Sequence, residues 1–357
     1  MNQKSPVQVG IVGASAKSGW ARMSHIPAIN GLPDLKLAAV AAGSEQSARE
    51  AAEAFGAERW FSDPFAMIRD DQIEIITVSV RVPAHREFVL AAFAAGKAVY
   101  CEAPLGRSVQ ETEEMAGAVG SLHTAIGLQG GLNPSVRHAA QLVSSGKIGR
   151  PLNARVVCNT VGFGPELPAS HDYFNKAASG ANLLTINGGH TLDALEVILG
   201  EIVEIDARTE TLWSTVTLKE TGERSSREVP DLVSILGKTR SGAVFTADLN
   251  AGVTAVFRFE IRGSEGWLRL TSDHPYGFQA GEVELRSNVA FTPPVEPAVS
   301  GAPAAAINVG EVYASLVRDM NAGTYDTPGF QHALHNARLV EIVRRAAERG
   351  ERQRVAN

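Results

Sequence analysis

The chain has 357 residues, enough for two domains that each bury a core, and a formal charge of −6 from 33 basic and 39 acidic residues. No run of Lys or Arg offers an electrostatic footprint, which excludes nucleic acid and membrane as direct partners. The two cysteines, Cys101 and Cys158, fit neither a metal-ligand spacing nor a disulfide framework; Met1 to Gln8 carries no leader-like apolar segment and no apolar run nears a membrane span, so a reducing cytoplasm is the expected home.

From Val7 the chain alternates β-rich runs with helical patterns: Val7 to Val12, Leu35 to Ala41, Arg59 to Phe61, Ile73 to Val80, Ala98 to Cys101 and Thr124 to Leu128. That alternation predicts a parallel sheet. The run Glu74 to Val80 is nearly continuous in β-branched residues, as a central strand buried on both faces requires. Ser47 to Phe55 and His85 to Ala95 read as helices, the second closed by Gly96 and Lys97. Past residue 128 a helix from Pro134 to Ser145 stops at Gly146. Longer β-like stretches follow: Asn153 to Thr160, Ile202 to Thr209, Leu232 to Lys238, Ala243 to Asn250 and Val256 to Gly263. With few helices between them they predict a largely antiparallel sheet. Gly263 to Gly266 ahead of Trp267 to Leu270 reads as a tight hairpin. Ala290 to Ala306 reads as a surface crossing, and Gln331 to Arg349 as a last helix with one apolar stripe.

The first strand runs into Gly10-Ile11-Val12-Gly13-Ala14-Ser15-Ala16-Lys17-Ser18-Gly19-Trp20, a Gly-rich turn at the place where a Rossmann unit wraps a pyrophosphate in backbone amides. The spacing departs from G-x-G-x-x-G: Gly13 takes the first place, Ser15 stands at the second, and Gly19 comes one residue late. Taken alone, such a turn serves strand-to-helix geometry as well as it serves a phosphate.

Other segments add to it. The turn, His25-Ile26-Pro27-Ala28-Ile29, Arg81-Val82-Pro83-Ala84-His85, Tyr100-Cys101-Glu102-Ala103-Pro104, Ile148-Gly149, Gly189-His190-Thr191-Leu192-Asp193 and Gly263-Ser264-Glu265-Gly266 stand in the order and spacing of the Gfo/Idh/MocA oxidoreductases, which the chain resembles over nearly its whole length. Within that family it is most similar to the branch containing the fungal galactose-regulon repressors, through Gly13-x-Ser15, Gly19-Trp20, Leu128-Gln129-Gly130 and Gly189-His190-Thr191. That branch includes regulators that bind the cofactor without a known reaction.

The resemblance implies an α/β Rossmann domain that binds a nicotinamide dinucleotide, residues 1–127. An α+β domain with a large, mostly antiparallel sheet follows, residues 128–357, for substrate binding and oligomerisation. Gly13, Ser15, Lys17, Ser18, Gly19, Trp20, Ser44, Pro83, His85, Glu102 and Gln129 are the expected cofactor contacts. His190 is the expected acid/base for a sugar, inositol or related polyol, with Tyr173, Lys176 and Asn187 as substrate contacts, and no metal is expected. A homodimer or higher homo-oligomer would cover an apolar face of the second sheet, where Val156, Val244 and Phe245 are candidates.

Three departures bear on function. After the second strand the run Val40-Ala41-Ala42-Gly43-Ser44 lacks the carboxylate that holds a ribose 2′-hydroxyl and repels a 2′-phosphate, so NADP is favoured over NAD, with Ser44, Lys17 or Arg49 toward the phosphate. The lysine of the family's Glu-Lys-Pro step is Ala103. The aspartate four residues before the histidine is Ile186, leaving Thr185 and Asn187 as the nearest polar groups; Asp193 reads as an orienting or capping group. If His190 is the proton acceptor, the rate should follow a group titrating near neutrality. Two functions therefore compete: an NAD(P)-dependent oxidoreductase, and a non-catalytic cofactor-binding regulator acting through a protein partner. His190 and the family as a whole favour the first, Ala103 and Ile186 the second.

Overall fold

The computed structural model describes residues 5–355, so the reading of Met1 to Lys4 lies outside the described residues. The chain divides into two compact units, Met1–Gln129 with Glu296–Leu334, and Gly130–Val295 with His335–Asn357. Among the described residues no helix is long and apolar enough to cross a membrane.

The first unit is built on six parallel strands: β1 (Val7–Val12), β2 (Leu35–Ala41), β3 (Arg59–Phe61), β4 (Ile75–Val78), β5 (Ala98–Glu102) and β6 (Thr124–Gly127), in the order β3-β2-β1-β4-β5-β6. Every residue of β4 is inaccessible to solvent, in keeping with its β-branched run. Gly13, just past β1, has φ +97°, and a Cβ there would lie 2.3 Å from the backbone oxygen of Ser79 at the end of β4. The glycine is thus fixed by conformation and by contact at once, and a side chain at 13 disturbs the sheet as well as any ligand.

A division at residue 127 assigns everything after it to the second domain, whereas the chain returns to the first unit at 296–334. Main-chain pairing explains the return: the Ile126 N–H on β6 donates to the Pro328 carbonyl at 2.9 Å. The helix Ala304–Ala322 belongs to this segment; beside its apolar stripe of Ala305, Val309, Val312, Tyr313, Leu316 and Val317 it also buries the polar Asn308, Glu311, Ser315 and Asp319, which blur the stripe in the sequence.

The second unit carries β7 (Pro151–Thr160), β8 (Glu166–Leu167), β9 (Ile202–Glu210), β10 (Thr215–Leu218), β11 (Arg224–Ser226), β12 (Leu232–Thr239), β13 (Val244–Ala251), β14 (Val256–Gly263), β15 (Trp267–Ser272), β16 (Glu284–Ser287) and β17 (Gln353–Arg354). Eight of them form one sheet, β16-β15-β14-β7-β13-β12-β9-β17, in which β7 with β13 is the one parallel pair. The hairpin at Gly263 to Gly266 joins β14 to β15, with the Gly263 N–H donating to the Gly266 carbonyl at 2.8 Å.

One face of this sheet joins the core with the helices Pro134–Ser144 and Gly189–Leu199 and with Leu339, Ile342, Val343 and Ala346 of the last helix. Strand alternation puts Val156 and Phe245 on that covered face, 1% and 0% exposed; only Val244, at 44%, faces outward. The outward face presents Arg155, Arg258, Glu260, Arg262 and Asp248 and is largely polar, with Val244, Leu236 and Val256 exposed among them at 44%, 43% and 41%. The apolar surface expected to drive self-association is reduced to these scattered side chains.

Between β7 and β9, and again between β9 and β12, the chain leaves the large sheet, and these excursions form a three-stranded one, β11-β10-β8. Its anchor is an ion pair between Arg227 and Asp231 at 3.0 Å, with side chains 2% and 0% exposed. Arg227 also donates to Asn175 Oδ1 at 2.9 Å and to the Gly164 carbonyl at 2.7 Å, while Asp231 accepts from the Leu212 and Trp213 N–H groups at 2.7 and 3.0 Å. Burying two charges is tolerable because each is hydrogen-bonded several times over. Arg227→Ala strands Asp231 without its counter-ion and is expected to lower unfolding free energy by about 3–5 kcal/mol. Chemical denaturation checks this; a loss below about 1 kcal/mol removes the anchor role.

Candidate functional site

In the first unit the Gly-rich turn passes from β1 through Gly13 to Gly19, φ +112°, which precedes a helix of only four residues, Trp20–Met23. So short a helix has little dipole, and any hold on a pyrophosphate must come from the turn's own amides. Ser15 accepts from the Lys17 N–H at 3.3 Å, and Lys17, Ser18 and Gly19 are exposed. The Trp20 indole Nε1 is buried and has no hydrogen-bond partner.

At the end of β2, Ala42 is half-buried and Gly43 exposed with open space where a side chain would stand. Ser44 caps the helix Glu45–Phe55 in a capping box with Ser47, its hydroxyl accepting the Ser47 N–H at 3.2 Å. Arg49 pairs with Glu45 at 2.6 Å and lies over the Trp60 ring at 4.7 Å. Ser44 and Arg49, two of the three groups expected toward a 2′-phosphate, thus already have local work.

Beyond β4, Pro83 lies in a one-turn 3₁₀ segment, Val82–Ala84. His85, 1% exposed, places Nε2 3.0 Å from the Val80 carbonyl and Nδ1 3.2 Å from the Leu105 carbonyl. The ring lies between two protein carbonyls and, with a single N–H when neutral, donates to one of them, so His85 ties the surrounding loops. Burial lowers its pKa despite those carbonyls.

Glu102 ends β5, and its Oε1 lies 2.9 Å from His25 Nε2, near enough for an ion pair yet off the axis of a hydrogen bond. A Cβ on Gly127 would fall 2.9 Å from that oxygen, so the glycine leaves room for the carboxylate. Gln129 is 1% exposed, and its Oε1 has no partner.

In the second unit a π-helical turn, Leu184–Gly188, runs without a break into the helix Gly189–Leu199. His190 therefore lies on a continuous helix and caps nothing, unlike a residue in a Gly-rich turn. Such π segments recur at functional sites. His190 is 3% exposed, its Nδ1 is buried without a partner, and its ring meets Phe278 edge-on at 6.4 Å. Burial alone lowers its pKa to about 3, which corrects the expectation of a group titrating near neutrality. Asn187, one turn earlier, points its amide at the Tyr276 carbonyl, 3.4 Å away, and at Cys158 Sγ, 4.0 Å away. Asp193 Oδ2 packs where Gly131 lacks a side chain.

Asn187 and His190 thus come together with the loop Tyr276 to Gln279. Tyr173 and Lys176 belong to another cluster. Tyr173 stacks on Phe174 at 4.1 Å, and the Lys176 ammonium donates to the Ser226 carbonyl at 2.8 Å and its hydroxyl at 3.1 Å. Lys176 is thus held against β11. Sequence reasoning missed Tyr276, Gln279 and, in the first unit, His25, which faces Glu102, with Tyr313 and Thr77 behind it. His25 stands in a quoted motif; nothing local marks Tyr313, 288 positions away.

Two family models match the chain: residues 7–128 match one described as an oxidoreductase family, NAD-binding Rossmann fold, and residues 134–272 match the Gal80p C-terminal domain. Inositol 2-dehydrogenase 2 of Saccharopolyspora erythraea is 30% identical over 280 residues, 75% of this chain and 74% of that protein. The galactose/lactose metabolism regulatory protein GAL80 of Kluyveromyces lactis is 28% identical over 313 residues, 80% of this chain and 67% of that protein. The chain spans about two thirds to three quarters of the length of these curated relatives. A levoglucosan dehydrogenase solved with NADH and L-sorbose shares the fold at TM-score 0.85 and 22% identity, over 99% of this chain and 100% of that one.

The lowered His190 pKa makes the folded protein prefer the neutral imidazole, while the unfolded chain titrates near 6.5. The stability it contributes is complete above about pH 6.5 and is lost as pH falls from there toward 3. His85 acts in the same direction; His335, raised by Glu196, acts in the opposite one. Replacing the imidazole in His190→Gln should make the fall of the denaturation midpoint on acidification shallower. An unchanged slope would show that the ring is not the buried neutral group described.

Proposed function

The chain belongs to the Gfo/Idh/MocA oxidoreductase family, and from that premise we propose that it is an NAD(P)-dependent dehydrogenase or reductase acting on a CH–OH group of a sugar, inositol or related polyol. The observation that carries this reading is the orphaned Nδ1 of His190 on a π turn beside Asn187. A buried ring nitrogen without a partner costs about 1–3 kcal/mol, a cost that a ligand hydroxyl bonded to it would offset. His190, neutral through the physiological range, takes the hydroxyl proton as the carbon is oxidised or returns it on reduction. The Asn187 amide orients the same ligand.

The first unit fits a dinucleotide: Ser15 to Gly19 supply backbone amides, and Trp20 Nε1 and Gln129 Oε1 are buried polar atoms with no protein partner. A bound nicotinamide would supply the hydride donor or acceptor. With Ala42 and Gly43 in place of a carboxylate, no negative charge excludes a 2′-phosphate, and NADP is expected to bind at least as well as NAD. Self-association is also part of the proposal, through ion pairs across the polar sheet face; sedimentation that finds monomer at low and high salt removes it.

A second reading, a cofactor-binding regulator acting on a protein partner, draws on Ala103 in the lysine's place and on the match to the Gal80p C-terminal domain. Turnover separates the two. Purified protein is given a panel of sugars and polyols with each oxidised cofactor; reduced cofactor appearing with one of them supports the enzyme, and none with any supports the regulator.

Cofactor binding is tested by thermal stabilisation with NAD and NADP. Ser15→Asp sets a negative charge in the turn yet keeps an acceptor for Lys17, and should abolish the shift; Ala42→Asp should move preference toward NAD. A wild-type protein that neither dinucleotide stabilises has lost the reading altogether. Once a substrate is known, His190→Ala should lower turnover roughly 10²- to 10⁴-fold with cofactor affinity little changed. Full turnover in that variant takes the histidine out of the mechanism.

A further inference from the structure

Glu102 is the innermost carboxylate of the first unit's strand ends, and a polar chain stands behind it. His25, 0% exposed, faces Glu102 with Nε2 at 2.9 Å and the Tyr313 hydroxyl with Nδ1 at 3.0 Å. That hydroxyl also meets Thr77 Oγ1 at 2.7 Å, on the fully buried β4. Burial pushes the Tyr313 phenol well up, so it keeps its proton as a donor. One proton arrangement satisfies a neutral His25: Thr77 O–H donates to Tyr313, Tyr313 O–H donates to Nδ1, and Nε2–H is directed at Glu102.

The rings hold His25 still. Tyr100 and Tyr313 pack edge-on to it at 4.9 and 5.7 Å, and they lie 4.8 Å from each other. In that arrangement every donor of the chain points one way, toward a carboxylate that is 16% exposed, and donors in series in a dry interior polarise one another. The last step alone is imperfect, 2.9 Å but off axis. Contacts of this kind in a ligand-free site commonly straighten when the ligand arrives.

We propose that His25, fixed by Tyr313 and Thr77, is the positioning residue for Glu102: it holds Oε1 so that Oε2 accepts a hydroxyl of the ribose on the nicotinamide side of the cofactor. This rests on the cofactor reading above and adds to it which residues set the grip on that half of the dinucleotide. A carboxylate left to rotate would divide itself between water and ligand. Held by His25 on one oxygen, it presents the other already desolvated and aimed, which is where affinity is gained. Tyr313 comes from the segment 296–334, so this grip depends on a stretch of chain more than two hundred residues from the Gly-rich turn.

The test compares three ligands on the full chain by calorimetric titration: ADP, which ends before the second ribose, ADP-ribose, which includes it, and NADH. In His25→Phe and in Tyr313→Phe, which removes one hydroxyl and keeps the ring, ADP should bind as to wild type. ADP-ribose and NADH should weaken, by roughly tenfold in His25→Phe, as loss of one charge-assisted hydrogen bond predicts. His25→Gln, which can still donate toward Glu102, should recover part of the loss. Equal weakening of all three ligands means that His25 only holds the fold together, and unchanged binding of all three means that it does not act on Glu102; either overturns the proposal. If the wild type binds ADP-ribose no better than ADP yet binds NADH, the ribose contact is wrong while the cofactor reading stands. If it binds none of them, the cofactor reading falls first.

Discussion

The Tyr313 hydroxyl, 2.7 Å from Thr77 and 3.0 Å from His25, joins two stretches of chain that sequence order keeps far apart. It lies in a dry interior, where an unmet hydroxyl or ring nitrogen costs about as much as a sizeable core truncation. The helix Ala304–Ala322 must therefore stand where Tyr313 reaches β4, and the first unit cannot be completed from its first 129 residues alone. Contacts this distant in sequence close late in folding, because loop entropy is lost before they form. The parallel sheet, its Gly-rich turn and the carboxylate at the end of β5 all depend on a segment that arrives after the second unit's strands in chain order.

How much of this was legible follows from what each residue has to satisfy. Strands β1, β2 and β3 fall on the bounds that their runs suggest; for β1 and β2 the reason is that a buried parallel strand leaves little freedom in composition, whereas β3 is a half-buried edge strand. The hairpin after β14 was legible from its glycines. The helix carrying Tyr313 was not, since Asn308, Glu311, Ser315 and Asp319 are buried beside its apolar stripe and dilute the period. The excursion from Gly164 to Asp231 was illegible for another reason: its anchor, Arg227, looks like any surface arginine until Asn175, Gly164 and Asp231 are seen around it.

The site divides along the same line. Residue type and motif pointed to His190, Asn187 and Glu102, and each lies in polar surroundings that a ligand could complete. The same reasoning pointed to Ser44, His85 and Lys176, whose polar atoms are engaged by Ser47, by two backbone carbonyls and by Ser226. A sequence lists donors and acceptors without saying which are already used, and that accounting decides whether a polar residue serves the fold or a ligand. Gly13 makes the point from the other side: its freedom of conformation was read as room for a phosphate, while a Cβ there would first strike Ser79.

What remains distinctive is how little charge the second unit places around His190. Desolvation is the whole cause of its lowered pKa, with no carboxylate or cation contributing. Cys158 shares this neutrality: burial pushes it up to about 11 in spite of Asn187 and Thr191. A neutral imidazole in such surroundings is a weak base until something offsets the imidazolium it becomes, and Ile186, on the preceding turn, provides no ionisable group to do so. On the enzyme reading proposed above, the compensating charge would come from the reacting ligand itself, as an alkoxide developing beside Nδ1, and turnover would be slow for any alcohol whose hydroxyl does not meet that nitrogen directly.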